Sequence, residues 1–140
     1  MPHSTTVASG GLAAIAALHL LWSTGSPWPL ADSSELADAV GGRADNADPP
    51  SPAECLAVAG LLGAAATLVA GRPARAPLLR RSGAAGVVAV LAARGALGLA
   101  GRTDLAVPTA TSPRFRRLDR RAYAPLCLAL ATLASPAVVR

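Results

Sequence analysis

The chain has 140 residues, 52% hydrophobic and only 15% charged, with a net charge of +5. One domain's length with so little charge, its apolar residues gathered into blocks, excludes an ordinary solvated globular surface. All thirteen basic residues are arginine, and a pI near 11 raises nucleic acid as a partner. The arginines cluster beside hydrophobic runs, however, so anionic lipid headgroups are the expected counter-charge and no nucleic acid is expected.

Four apolar runs, residues 6–23, 53–70, 83–100 and 123–139, each approach the ~20 residues that cross the hydrocarbon. They predict an all-α, integral membrane four-helix bundle in a single membrane domain, 1–140. A soluble bundle with buried Ala/Leu helices is the alternative, and it fits the run lengths less well. Small residues at four-residue spacing, Gly60/Ala64, Gly63/Thr67 and Ala85/Ala89/Ala93, predict ridges along which helices approach closely.

No Lys or Arg precedes the first run, so it reads as an uncleaved span rather than a secretory signal. His19, Trp22 and Ser23 share a face at i, i+3 and i+4. Gly25, Pro27 and Pro29 stop the helix, and Trp22 and Trp28 suit an interfacial aromatic belt. Residues 24–52 form an acidic loop carrying Asp32, Glu35, Asp38, Asp45 and Asp48 against Arg43. Residues 34–40 fit a short helix, and residues 44–52 read as mobile.

The second run leads into Arg72, Arg75, Arg80 and Arg81 with no acid among them. The third holds Arg94 inside its apolar length. An ionisable group there either faces a partner or snorkels to the interface. Before the fourth run, residues 113–122 place Phe115, Leu118 and Ala122 on one helical face with Asp119 at its margin. Arg114, Arg116, Arg117, Arg120 and Arg121 cover the rest, the pattern of a short amphipathic interfacial helix. Ser112 fits its N-cap and Pro113 its first position, and Pro125 fits the first turn of the next helix.

The positive-inside rule puts the loop at residues 72–81 in the cytoplasm and the acidic loop outside, with both termini cytoplasmic. Residues 114–121 then fall on the outer side against that rule. Whichever way the bundle faces, alternating spans bring His19, Trp22, Glu54, Cys55, Arg94, Asp119, Tyr123 and Cys127 to one end. Asp119 is the expected counter-ion of Arg94. His19 is open as ligand, proton carrier or hydrogen-bonding core residue. Cys55 and Cys127 are open as a disulfide or as two small buried hydrophobes, and Tyr123 reads most simply as an interface anchor. One inward His and two separated Cys make no zinc or bis-His haem set, so no metal is expected.

With Leu18-His19-Leu20-Leu21-Trp22, then Gly25-Ser26-Pro27-Trp28-Pro29, then Ala93-Arg94-Gly95-Ala96-Leu97-Gly98, then residues 114–127 ending Tyr123-Ala124-Pro125-Leu126-Cys127, the chain resembles domain-of-unknown-function family 3995. These are small four-helix bacterial membrane proteins, and the form here is similar to those of actinobacteria. The resemblance implies that His19, Trp22, Gly25, Arg94, Gly95, Phe115, Asp119, Tyr123, Pro125 and Cys127 are motif positions, that Cys55 is not, and carries no established activity.

The resulting expectation is a multi-pass protein of the bacterial inner membrane, a non-enzymatic module with a small ligand or headgroup site at one interface. The ligand-site candidates are His19, Trp22, Arg94, Asp119, Tyr123 and Cys127, supported by Gly25, Trp28, Gly95, Phe115 and Pro125. No cofactor is required, although a quinone or lipid fits the chemistry. Expected partners are anionic headgroups near residues 72–81 and 114–121, with a membrane protein partner as a further option. The alternatives are a lipid-phase oxidoreductase or other small membrane enzyme using Cys127 and His19, and an accessory subunit of a larger membrane complex.

Overall fold

The computed structural model describes residues 2–43 and 48–139, and within them every regular element is helical. In chain order these are α1 (Pro2–Ser23), α2 (Ser33–Ala39), α3 (Pro52–Val69), α4 (Pro77–Leu99), α5 (Thr103–Ala106) and α6 (Pro113–Leu118). A π-helical turn (Asp119–Tyr123), α7 (Ala124–Ala134) and α8 (Pro136–Val139) complete the chain. Four stretches are long and apolar enough to cross a membrane: His3–Ser23, Pro52–Val69, Pro77–Leu99 and Pro113–Val139. The mobility expected of residues 44–52 concerns in part residues 44–47, which lie outside the described residues.

Local chemistry sets the helix ends. Ser51 and Glu54 form a reciprocal capping box ahead of Pro52, satisfying amide groups that the first turn leaves unpaired. Asp32 accepts from the Glu35 amide at the start of α2, and Ser112 accepts from the Phe115 amide before Pro113. At the ends of α3 and α4, Gly71 and Gly101 take left-handed φ angles of 87° and 74°. The following amides, of Arg72 and Arg102, then reach back to Thr67 and Leu97 carbonyls at 3.0 and 2.9 Å. This closure suits glycine because it lacks the Cβ that penalises positive φ. α4 begins at Pro77, ahead of the apolar run at residue 83, because its basic first turns continue the helix beyond the apolar segment.

α1 packs against α3 and α7, and α4 against the same two, so the long helices form a closed ring in which neighbours run antiparallel. Three contacts fix that order. Ser9 Oγ donates to the Ala66 carbonyl at 3.0 Å, Gly83 faces Leu68, and Gly11 faces Leu130. The central cluster is built from Ala8, Leu12, Ala66, Val69, Ala84, Leu130, Ala134 and Ala137. Alanine dominates it, so the backbones lie close together and packing rather than large side chains holds the interior.

The predicted small-residue ridges do not make these contacts. Gly60, Ala64, Ala89 and Ala93 are exposed, and a Cβ on Gly60 or Gly63 meets nothing. The close approaches are at Gly11, Gly83, Gly95 and Gly98 instead. Spacing alone does not distinguish an inward small stripe from an outward one when both faces of a span are apolar.

The ring has two dissimilar ends. At one, α3 and α4 are joined by a short arginine-bearing loop. At the other, α2, α5 and α6 are gathered over the bundle as a cap.

Candidate functional site

The capped end holds a fully enclosed carboxylate. Asp119 is 0% exposed and accepts three hydrogen bonds. Arg94 Nη2 donates to Oδ1 at 2.6 Å, Arg94 Nη1 to Oδ2 at 3.2 Å, and Thr103 Oγ1 to Oδ2 at 2.6 Å. The two-point arginine contact matches the planar fork of guanidinium to carboxylate. Arg94 therefore turns inward to a partner rather than snorkelling out, as its pairing with Asp119 required. Gly95 and Gly98 make the space. A Cβ on Gly98 lies 2.6 Å from Ala124 Cβ and 2.9 Å from Asp119 Oδ2, and one on Gly95 lies 2.6 Å from Leu128. Cys127, half-buried, sits within electrostatic reach of both Arg94 and Asp119.

The π turn explains why Asp119 is inside. Its defining bond runs from the Ala124 amide to the Asp119 carbonyl, so one more residue is accommodated than in an α turn. The face that ideal α periodicity assigns to Phe115, Leu118 and Ala122 is thereby rephased. Phe115 and Asp119 are buried, whereas Ala122 is exposed. Pro125 lies in the first turn of α7, where the widened turn accommodates its missing N–H. The amphipathic helix before the last span is α6, and it continues through the π turn directly into α7.

A second cluster ties the acidic loop to this segment. Tyr123 Oη donates to the Ala39 carbonyl at 2.7 Å, and its ring lies 5.8 Å from that of Phe115. Tyr123 thus fastens α2 to the last span and is more than an interface anchor. Ser112 Oγ donates to Asp38 Oδ1, and Arg114 stands 3.7 Å from Asp38 and 3.9 Å from Glu35. The Gly42 carbonyl accepts from the Thr111 and Ser112 amides at 2.9 and 3.0 Å. Gly42, at φ 66°, admits no Cβ, which would lie 2.8 Å from that of Ala110.

The third cluster lies where α1, α2 and α3 meet. Trp22, Leu36 and Cys55 are buried together. Trp22 Nε1 donates to the Trp28 carbonyl at 2.8 Å, so Trp22 belongs to the cap's interior while Trp28, 61% exposed, remains at the surface. Partnering of its N–H by the loop is what lets the indole be buried. The His19 ring packs against Trp22 with centroids 4.7 Å apart and planes inclined at 59°, and it donates from Nδ1 to the Ile15 carbonyl at 2.9 Å, since a carbonyl only accepts. Gly25, at φ 87°, ends α1 as its position implied. Cys55 and Cys127 are both free thiols.

The candidate residues therefore share one end but not one pocket. Arg94, Asp119, Gly95 and Cys127 come together, Phe115 joins Tyr123, and His19 joins Trp22. Thr103, Gly98, Asp38 and the Ala39 carbonyl were missed. Gly98 carried a signal, being one helical turn beyond Arg94. Thr103 carried none, because its contact depends on the path of the loop. Among the described residues no three His, Cys, Asp or Glu side chains gather to hold a metal ion.

A family model described as "Protein of unknown function (DUF3995)" matches residues 12–134. That range takes in Arg94, Thr103 and Asp119, the second cluster, and His19 with its neighbours. No curated protein and no solved structure matches the chain.

Proposed function

This chain belongs to the DUF3995 family, and from that premise we propose that it is a non-enzymatic membrane module that holds anionic lipid headgroups at its capped face. The observation that carries this reading is the outer side of the run from α6 through the π turn. Arg116, Arg117, Arg120 and Arg121 are exposed there, and among the described residues none of them forms an ion pair. The inner side of the same run is fixed by Phe115 and Asp119, so the four cations are presented outward together at the depth where headgroups lie. Arg94 commits its two terminal nitrogens to Asp119, which moves the headgroup site from Arg94 to this rim.

The polar groups of the motif residues favour binding over catalysis. Asp119, Tyr123 and Trp22 direct their polar groups to intramolecular partners, as does Arg94 with its two terminal nitrogens and His19 with Nδ1. His19 and Cys127, the pair on which an oxidoreductase reading depends, belong to separate clusters. An accessory-subunit reading draws on one specific observation: Gly60, Ala64, Ala89 and Ala93 face outward, giving a partner helix small surfaces to approach.

We place the protein in a bacterial inner membrane with the uncapped end cytoplasmic. Arg72, Arg75 and Arg80 stand at that end with no described acid, whereas every described acid lies on the capped side among the other described arginines. The uncapped end thus meets the anionic cytoplasmic leaflet with unbalanced positive charge. Both chain termini then lie on the cytoplasmic side.

Native mass spectrometry of the wild type beside Arg116→Gln/Arg117→Gln/Arg120→Gln/Arg121→Gln tests the headgroup site. Anionic lipid retained by the wild type and lost from the quadruple variant supports it. Equal retention by both overturns it, and a stoichiometric protein carried through purification shifts the reading to the accessory subunit.

A further inference from the structure

Away from the cap, an open groove of about 370 Å³ runs between α1 and α3. Its floor is Ala16 and Ala66, and its sides are Ala13, Ala17, Gly63 and Thr67. A Cβ at Gly63 meets nothing within 4 Å, so the missing side chain is part of the groove. The two hydroxyls in it are turned onto backbone carbonyls, Ser9 Oγ onto Ala66 and Thr67 Oγ1 onto Ala64, which leaves apolar walls. Along α1 the lining extends from Ser9 to Leu20, about 16 Å at a rise of 1.5 Å per residue. That is roughly half of the ~30 Å hydrocarbon thickness, the depth of one leaflet.

The groove also has a charged end. Arg72 is its one charged lining residue, and it is exposed at the uncapped end with no ion pair among the described residues. Its backbone is held there by the left-handed turn at Gly71 and the bond from its amide to the Thr67 carbonyl. An apolar trough one leaflet deep, with a fixed cation at the headgroup level, matches one class of molecule in shape and charge.

We propose that this groove seats one acyl chain of an anionic glycerophospholipid, with the lipid phosphate on Arg72. The proposal shares with the preceding section only the premise that the long helices cross a bilayer, and it is independent of the arginine rim at the cap. The acyl chain covers the gap where Gly63 and the flanking alanines leave α1 and α3 unfilled. The guanidinium pairs with the phosphate as a planar donor that is always charged. Arg75, nearby in sequence but outside the groove, takes no part.

The full chain is reconstituted with equal phosphatidylglycerol and phosphatidylcholine, released into mild detergent, and weighed by native mass spectrometry. The wild type retains one phosphatidylglycerol. Arg72→Gln lowers that retention about fivefold, the weight of one cation at a headgroup, and abolishes the preference over phosphatidylcholine. Gly63→Leu and Ala13→Leu, which fill the groove from exposed or open positions, displace both lipids while keeping the helical circular dichroism. Undiminished retention in both groove variants overturns the proposal. So does an equal loss in Arg75→Gln and Arg72→Gln, which marks diffuse attraction. Loss in the quadruple capped-face variant alone also overturns it while supporting the rim. Extraction of the wild type from membranes by alkaline carbonate separates a failure of the shared premise from a failure of the groove.

Discussion

Beside the exposed rim of Arg116, Arg117, Arg120 and Arg121 at the capped end, some arginines are paired with acids, a use that Arg72 and Arg75 at the other end do not share. At the capped end Arg94 is enclosed against Asp119, Arg114 bridges to α2, and Arg43 reaches Glu54 at 3.4 Å, so charge is used to assemble the chain. At the other end Arg72 and Arg75 project outward with no partner among the described residues. The contrast teaches that an arginine's sequence neighbours do not reveal its role here. What separates the two uses is whether the fold returns an acid to it, and the described acids lie on one side.

That contrast is sharpest at Asp119. Replacing it with Ala leaves Arg94 without its counter-charge and is expected to cost about 3–5 kcal/mol, measured by chemical unfolding in detergent. A cost near zero would break the distinction between the ends. Gly98→Ala comes next, at about 1–3 kcal/mol, because its new methyl collides with Ala124 and crowds Asp119. Gly63→Ala is the matched control, neutral or stabilising by up to about 1 kcal/mol because the site is open. Tyr123→Phe removes the bond to the Ala39 carbonyl and is expected to cost about 1 kcal/mol, with faster hydrogen exchange confined to α2. A uniform change across the bundle would show that Tyr123 does not fasten the cap. The smallest effect is at the uncapped end, where Arg75→Gln should change stability by less than about 0.5 kcal/mol.

The architecture was largely legible because its signals are local. Apolar length identifies the four spans, and Ser112 with Pro113 marks a helix start that the structure places there. The pairing of Arg94 with Asp119 was legible for another reason, since few acids are available to an arginine within a span. Trp22 reads from the sequence as an interfacial-belt residue or ligand-site candidate, and its burial in the cap is not legible because the Trp28 carbonyl that receives its N–H comes from a loop with no periodicity to follow. Ala122 was assigned inward because 100° per residue was carried through a turn that is not α-helical. The outward ridges at Gly60 and Ala89 escaped because lipid-facing and core-facing positions of a span share one composition.

The π turn has a consequence for how the chain tolerates change in length. It stands between α6, which belongs to the cap, and α7, which belongs to the ring, and it absorbs a residue that a regular helix would not. The junction between cap and ring therefore carries one residue of slack, like a spare link in a chain. Removing Ala122, an exposed residue, would let the turn close as an ordinary α turn, in which four residues sweep about the arc that five sweep now, so α6 and α7 would keep their relative orientation. A one-residue deletion in this turn, unlike one in the regular helix on either side, would leave the arginine rim facing as it does now.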